Sequence, residues 1–139
     1  MYTQNKINIL SLFDGISCGM IALDKLNIPI NKYYASEIDK YAIEISNKNY
    51  PNIIRLGDVR DVTIKNHDKI DLLIAGSPCQ GFSNAGKGLN FEDKRSKLFF
   101  EFIRILKYSK PKYFLLENVK MKQEWQDIIS DLVGVQPIR

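Results

Sequence analysis

Two side chains in this sequence could do covalent and proton-transfer chemistry from the end of a strand. One is Cys79, in Ala75-Gly76-Ser77-Pro78-Cys79-Gln80-Gly81-Phe82-Ser83, and the other is Glu117, in Glu117-Asn118-Val119. The cysteine follows an apolar run, Leu72-Leu73-Ile74-Ala75, where small and turn-forming residues abruptly replace apolar ones. A thiol attacks as its thiolate, and an unperturbed cysteine near pKa ~8.5 is only a few per cent ionised at neutral pH. Activation by histidine would fall to His67, which lies in the polar run Lys65-Asn66-His67-Asp68-Lys69 and reads as part of a solvated loop. Backbone N–H groups or a cationic neighbour would have to do that work instead. For a cysteine taken alone, an inert buried thiol is the ordinary reading. Glu117, 38 residues on, ends the next apolar run. A partly desolvated carboxyl group there could stay protonated and donate to a ring nitrogen. A nucleophile paired with a carboxylic acid suits addition to an electron-poor heterocycle.

Three further acids follow apolar runs in the same way: Asp14 in Phe13-Asp14-Gly15, Glu37 before Ile38, and Asp58 in Gly57-Asp58-Val59. The turn Asp14-Gly15-Ile16-Ser17-Cys18-Gly19 carries glycines but not the Gly-x-Gly-x-x-Gly of pyrophosphate cofactors, and an acid beside it would repel a diphosphate. Glu37, 23 residues after Asp14, suits ribose hydroxyls, and Asp58 could accept from an adenine amino group. Together they favour an adenosyl cofactor with a positive charge and no phosphate, S-adenosylmethionine. Singly, each acid reads equally well as a strand-end cap or turn former.

The elements that must position these groups alternate. Strands are expected at Ile7–Phe13, Tyr33–Ser36, Ile53–Leu56, Ile70–Ala75 and Tyr113–Leu116. Between them, Met20, Leu23 and Leu26 recur at helical spacing before Pro29. A second helix starts near Asp39, a plausible cap, with Ile38, Ala42 and Ile45 on one face. Residues 84–94 read as a loop, followed by a helix over 95–108 with Leu98, Phe99, Phe102, Ile103 and Leu106 on one face. A last helix carries Trp125, Ile128, Ile129 and Leu132 and stops at Gly134. This pattern implies an α/β fold, a mostly parallel sheet with helices on both faces, in which ligands bind beyond the carboxyl ends of the strands. All five chemistry-bearing groups would then meet at one edge.

The 139 residues suffice for one domain. Two cysteines, Cys18 and Cys79, without a Cys-x-x-Cys, provide neither a disulfide scaffold nor a zinc site. No apolar run approaches the ~20 residues of a membrane span, and the amino terminus lacks a secretory layout, so a cytoplasmic location is expected. The net charge is +4, and from Arg104 to Lys122 six basic residues face one acid. That run fits a solvated face or a phosphate-contacting one.

The residues resemble the DNA (cytosine-5)-methyltransferases over almost the whole chain. Phe13-Asp14-Gly15-Ile16-Ser17-Cys18-Gly19 is similar to the cofactor-loop motif, Pro78-Cys79-Gln80 to the nucleophile motif, and Glu117-Asn118-Val119 to the acid motif, in the family's order. Leu98-Phe99-Phe100-Glu101-Phe102 is similar to the de novo-type branch of eukaryotes and to phage-borne relatives. The resemblance implies a Rossmann-like fold in which the Phe13–Gly19 turn (Phe13, Asp14, Gly15, Ile16 and Gly19), with Pro78, holds S-adenosylmethionine. It implies that Glu37 binds the ribose, that Ile38 and Val59 sandwich the adenine, and that Asp58 meets its amino group. A cytosine flipped from double-stranded DNA would take Cys79 at C6, with Glu117 at N3 and Pro78 beside the nucleophile. The loop over 81–97 would close on the base. The family continues with an arginine-bearing motif, a target-recognition region and a late segment that completes the cofactor pocket. Residues 1–139 are therefore expected to be the amino-terminal part of the catalytic domain, incomplete at its C-terminal sheet edge. Completion by a separate chain and a non-catalytic cofactor- or DNA-binding remnant stand beside the enzyme reading.

Overall fold

The computed structural model describes residues 5–63, 69–77, 94–118, 123–136 and 138. In chain order the elements are β1 (Ile7–Leu12), α1 (Cys18–Lys25), β2 (Ile30–Ser36), α2 (Lys40–Asn49) and β3 (Ile54–Gly57). A 3-10 turn (Val59–Asp61), β4 (Leu72–Gly76), α3 (Lys94–Ser109), β5 (Tyr113–Glu117) and α4 (Gln123–Val133) follow. The five strands form one sheet in the order β3-β2-β1-β4-β5, and every pairing is parallel. The expected alternation is therefore present, with strand bounds shifted by a few residues.

The chain steps outward from β1 to β3, then crosses back to lay β4 on the other side of β1. Right-handed crossovers in opposite directions place helices on opposite faces. Two cores separated by the sheet follow from this. On one face Leu10, Leu12, Leu73 and Ala75 pack against Phe99, Phe102 and Ile105 of α3, with Ile129 and Leu132 of α4 alongside. On the other, Ile9, Tyr33, Ala35 and Ile74 pack against Leu23 and Met20 of α1. Adjacent residues of one strand thus feed different cores, so β1 reads as a continuous apolar run rather than an alternating one.

Two helix expectations are corrected here, and the cover of the sheet on both faces holds at its centre. The inward face of α2 is not Ile38, Ala42 and Ile45: Ile38 and Ile45 are exposed, while Ser46 is the buried residue. Ser46 turns inward because it has hydrogen-bond partners there, and a hydroxyl so satisfied tolerates burial. Leu26 is exposed because α1 ends at Lys25. Helices cover both faces at the sheet centre, but β5 is covered on one face only among the described residues. Phe114 and Leu116 enter the α3 core, whereas Tyr113 and Leu115 on the other face are 61% and 59% exposed.

Register aligns the carboxyl ends. Gly57, Ser36, Leu12, Ala75 and Leu116 pair successively across the sheet and form one row. Each step along it is roughly 5 Å.

Candidate active site at the carboxyl edge

The residues just beyond that row are the ones whose chemistry stood out. Asp58 follows Gly57, Glu37 follows Ser36, and the Phe13–Gly19 turn follows Leu12. Glu117 pairs with Gly76 at the ends of β5 and β4, and Asn118 Nδ2 donates to Ser77 Oγ at 3.1 Å, joining the two strand ends. Pro78 and Cys79 lie outside the described residues, as does Val119. The last described residue before them, the buried Ser77, is the one bonded to Asn118.

The turn after β1 is tightly specified. Phe13, Gly15 and Ser17 all have positive φ, at 55°, 58° and 67°. The Gly15 N–H donates to Glu37 Oε2 at 2.7 Å, while Glu37 Oε1 accepts from the N–H groups of Ile38 (2.8 Å) and Asp39 (2.9 Å). Glu37 thus links the ends of β1 and β2 and retains capacity for another donor, since a carboxylate offers about four lone-pair sites. Ile16 and Ile38 present exposed apolar side chains beside it, Ile38 at 70%. Asp39 caps α2, accepting from the Ala42 N–H at 2.8 Å.

Asp58 is gripped by Arg60, whose backbone N–H and Nε both donate to Oδ1 at 2.9 Å, with Nη2 on Oδ2. These hydrogen bonds hold the Asp58 carboxyl down at about 2, so it is an acceptor at any physiological pH.

Three site expectations change. The Asp14 carboxylate is buried and points beneath the turn, accepting from Ser17 Oγ and from Tyr33 Oη (2.9 Å), with Arg55 Nη1 3.7 Å away. A carboxylate so screened does not repel a diphosphate, and only the backbone of Asp14 is placed to meet a ligand. Val59 is 4% exposed and packs in the α3 core, so its side chain does not mirror Ile38 across an adenine-sized slot. The burial follows from Arg104 of α3, which donates to Val59 O (3.1 Å) and Val62 O (3.0 Å) and pulls the 3-10 turn onto the helix. Glu117 is exposed, so the described residues do not supply the desolvation expected of it.

The basic run divides as well. Arg104 is spent on those carbonyls and on Glu101 (2.7 Å). Lys107, Lys110 and Lys112 flank the α3–β5 junction, at the amino edge of the sheet and away from the candidate site.

With this geometry in place, comparison with known proteins identifies its lineage. The profile of the C-5 cytosine-specific DNA methylase family matches residues 7–130. The chain belongs to that family. It is 42% identical over 119 residues to the orphan methyltransferase M.Rho11sI of Bacillus phage rho11s, covering 84% of this chain and 24% of that protein. It is 43% identical over 122 residues to the type II methyltransferase M.NlaIV of Neisseria lactamica, covering 84% and 29%. The crystal structure of the S. pombe Dnmt2 methyltransferase matches with a TM-score of 0.68 and 30% identity, over 86% of this chain and 38% of that one. The chain thus spans about a quarter to a third of the length of these curated relatives.

Sequence reasoning about this chain missed Tyr33, Ser46 and Arg55, which surround Asp14 from below. Arg55 gave a usable signal: a cation inside an apolar strand implies a buried partner. Tyr33 gave none, since an aromatic residue in a strand is ordinary.

Proposed function

We propose that this chain forms the cofactor-binding and nucleophile-bearing part of an enzyme that methylates C5 of cytosine in double-stranded DNA. The observation that carries the reading is the alignment of the turn after β1, Glu37, Asp58 and Glu117 along one sheet edge, in a chain of the C-5 cytosine-specific DNA methylase family.

S-adenosylmethionine fits the groups at that edge and would supply an electrophilic methyl group there. The backbone of Phe13–Gly19 receives the methionine end: Gly15 has open space where a Cβ would stand, and Ser17 does not cap α1 with its side chain. Glu37 accepts from the ribose hydroxyls, and exposed Ile38 covers the adenine. Asp58, held ionised by Arg60, accepts from the exocyclic amino group, while Val59 contributes backbone only. Pro78 borders both cofactor and nucleophile.

A stacked base hides its C6, so the target cytosine must leave the duplex. Cys79 as thiolate then adds to C6, and Glu117 donates a proton to N3, which lets C5 act as a carbanion equivalent. After transfer, loss of the C5 proton restores the double bond and expels the Cys79 thiolate, and the N3 proton returns to Glu117. Exclusion of water falls to the segment between β4 and α3 and to the incoming DNA. Residues 1–139 constitute the amino-terminal part of the catalytic domain in this reading. Base-sequence recognition belongs to the remaining length of the relatives, in the same polypeptide or a complementary one.

DNA carrying 5-fluorocytosine tests the reading, because fluorine at C5 blocks the final elimination and traps the cysteine adduct. A covalent complex should form only with S-adenosylmethionine and disappear in Cys79→Ser. The assay is run on the chain alone and with the carboxyl-terminal part of a relative such as M.NlaIV. Cofactor binding without trapping in either arm sinks the enzymatic reading and leaves a binding module.

A further inference from the structure

The Phe13–Ser17 turn is costly to hold. Two non-glycine residues, Phe13 and Ser17, sit in the left-handed region at φ 55° and 67°, where a Cβ crowds the following carbonyl oxygen. Such conformations persist only where the surroundings over-determine them. The determinant is a polar cluster buried beneath the turn and drawn from the turn itself, β2, α2 and β3.

Its directions can be worked out from the donor inventory. The Asp14 carboxylate only accepts, so the single Ser17 hydroxyl proton goes to Asp14 Oδ2. The contact between Ser17 Oγ and Ser46 Oγ must then run from Ser46 to Ser17. Ser46 Oγ in turn accepts from Arg55 Nη2 at 2.5 Å. A one-way relay results, from Arg55 on β3 through Ser46 on α2 and Ser17 ahead of α1 to Asp14. Arg55 is oriented by a further bond from Nε to Asn47 Oδ1 at 3.0 Å. Its Nη1 has no hydrogen-bond partner and lies 3.7 Å from Asp14 Oδ2.

Tyr33 closes the cluster from the other side. Its hydroxyl donates its one proton to Asp14 Oδ1 at 2.9 Å. Burial, and then the Asp14 charge, raise the Tyr33 hydroxyl well above its ordinary value, so it remains a donor throughout the physiological range. One effect on α1 follows: Ser17, committed to Asp14, does not cap the helix with its side chain.

A buried Asp–Arg pair is weak evidence for net stability, because removing the charges from water offsets much of their attraction. Selection of one backbone conformation is the use the geometry supports. We infer that Tyr33, Ser46 and Arg55 are positioning residues, which act through Asp14 and Ser17 to hold the β1–α1 turn in the form that receives the cofactor. The inference rests on the reading of that turn as an S-adenosylmethionine site.

Two measurements on Tyr33→Phe and Ser46→Ala test it: amide hydrogen exchange at Gly15, Ile16 and Cys18 without ligand, and S-adenosylmethionine affinity by calorimetry. The phenyl ring keeps its packing, and Ser46→Ala is the milder cut should Tyr33→Phe fail to fold. Both variants should exchange faster at the turn than at Leu10 or Leu73 in the sheet. Both should bind roughly 5- to 30-fold more weakly, the factor that one or two kcal/mol produces. A purely structural role would lower the melting temperature and leave the affinity of the folded protein unchanged, which overturns the inference. Faster exchange at the turn in a parent protein that does not bind S-adenosylmethionine overturns the cofactor reading instead, and the positioning role with it.

Discussion

Gly19→Ala sets two physical effects of opposite sign against each other. Gly19 lies in the first turn of α1, where helix propensity alone favours alanine by ~1 kcal/mol. Space forbids it. A Cβ at Gly19 would stand 2.8 Å from Tyr33 Oη and 3.2 Å from Ile74 Cδ1. The Ile74 methyl can yield by a few tenths of an ångström, but Tyr33 is buried and held by its bond to Asp14. Relief therefore requires α1 to lift from the sheet or Tyr33 to give up a bond. Overpacking costs ~1–3 kcal/mol and a lost hydrogen bond ~1 kcal/mol. Set against the propensity gain, the net destabilisation is ~1–3 kcal/mol. Urea denaturation should show it as a lower midpoint with an unchanged slope.

The decisive arm is a double-mutant cycle. Tyr33→Phe removes the oxygen at 2.8 Å, so Gly19→Ala should cost at least ~1 kcal/mol less in that background than in the parent. A stabilising Gly19→Ala in the parent, or equal effects in both backgrounds, refutes the reasoning. In either case Gly19 would be retained for approach to a ligand and not for Tyr33.

Other outcomes test the remaining parts of the site. Ile38→Ala should leave the denaturation midpoint within ~0.5 kcal/mol and weaken S-adenosylmethionine binding several-fold, whereas Val59→Ala should destabilise by ~1–3 kcal/mol as a core truncation, since the two differ so sharply in exposure. Calorimetry and urea titration on each separate them, and the opposite pattern would restore Val59 as a cofactor contact. Arg104→Leu orphans Val62 O and leaves Val59 O with only the Val62 N–H, with an expected loss of ~1–3 kcal/mol; a neutral result would show the 3-10 turn holding without α3. For Asp58 the folded value, about 2, lies below the ordinary 3.8 because Arg60 donates to the ionised form. Its contribution to stability is thus complete above 3.8 and fades as pH falls towards 2. The pair is surface-placed, so the effect is small; a carboxyl-carbon NMR titration with a midpoint at 3.8 or above refutes the grip of Arg60.

The difference between what was and was not legible follows from how each interaction is encoded. Strand and helix order was readable because apolar periodicity is local, and parallel topology then carried the acids to one edge without knowledge of any contact. That is why Glu37, Asp58 and Glu117 emerged together although each alone is an ordinary strand-end residue. Side-chain direction was not readable. Asp14 and Glu37 look alike in sequence, an acid after an apolar run, yet one carboxylate turns under the sheet edge while the other remains at the surface with Gly15, Ile38 and Asp39. The choice depends on partners distant in sequence, Tyr33, Ser46 and Arg55, and on left-handed φ at Phe13 and Ser17, which nothing local announces. Val59 and Ile38 diverge for the same reason: Arg104 draws one into a core, and no described residue draws in the other. Arg55 shows how part of this could have been read. An arginine between Ile54 and Leu56 cannot remain unpartnered in a packed sheet, and the acids read as lying beyond the neighbouring strands offered few candidates. Asking which acid must neutralise Arg55, before assigning every acid to a ligand, would have shown that one of Asp14, Glu37 and Asp58 is structural; that it is Asp14, two strands away from Arg55, only the fold reveals.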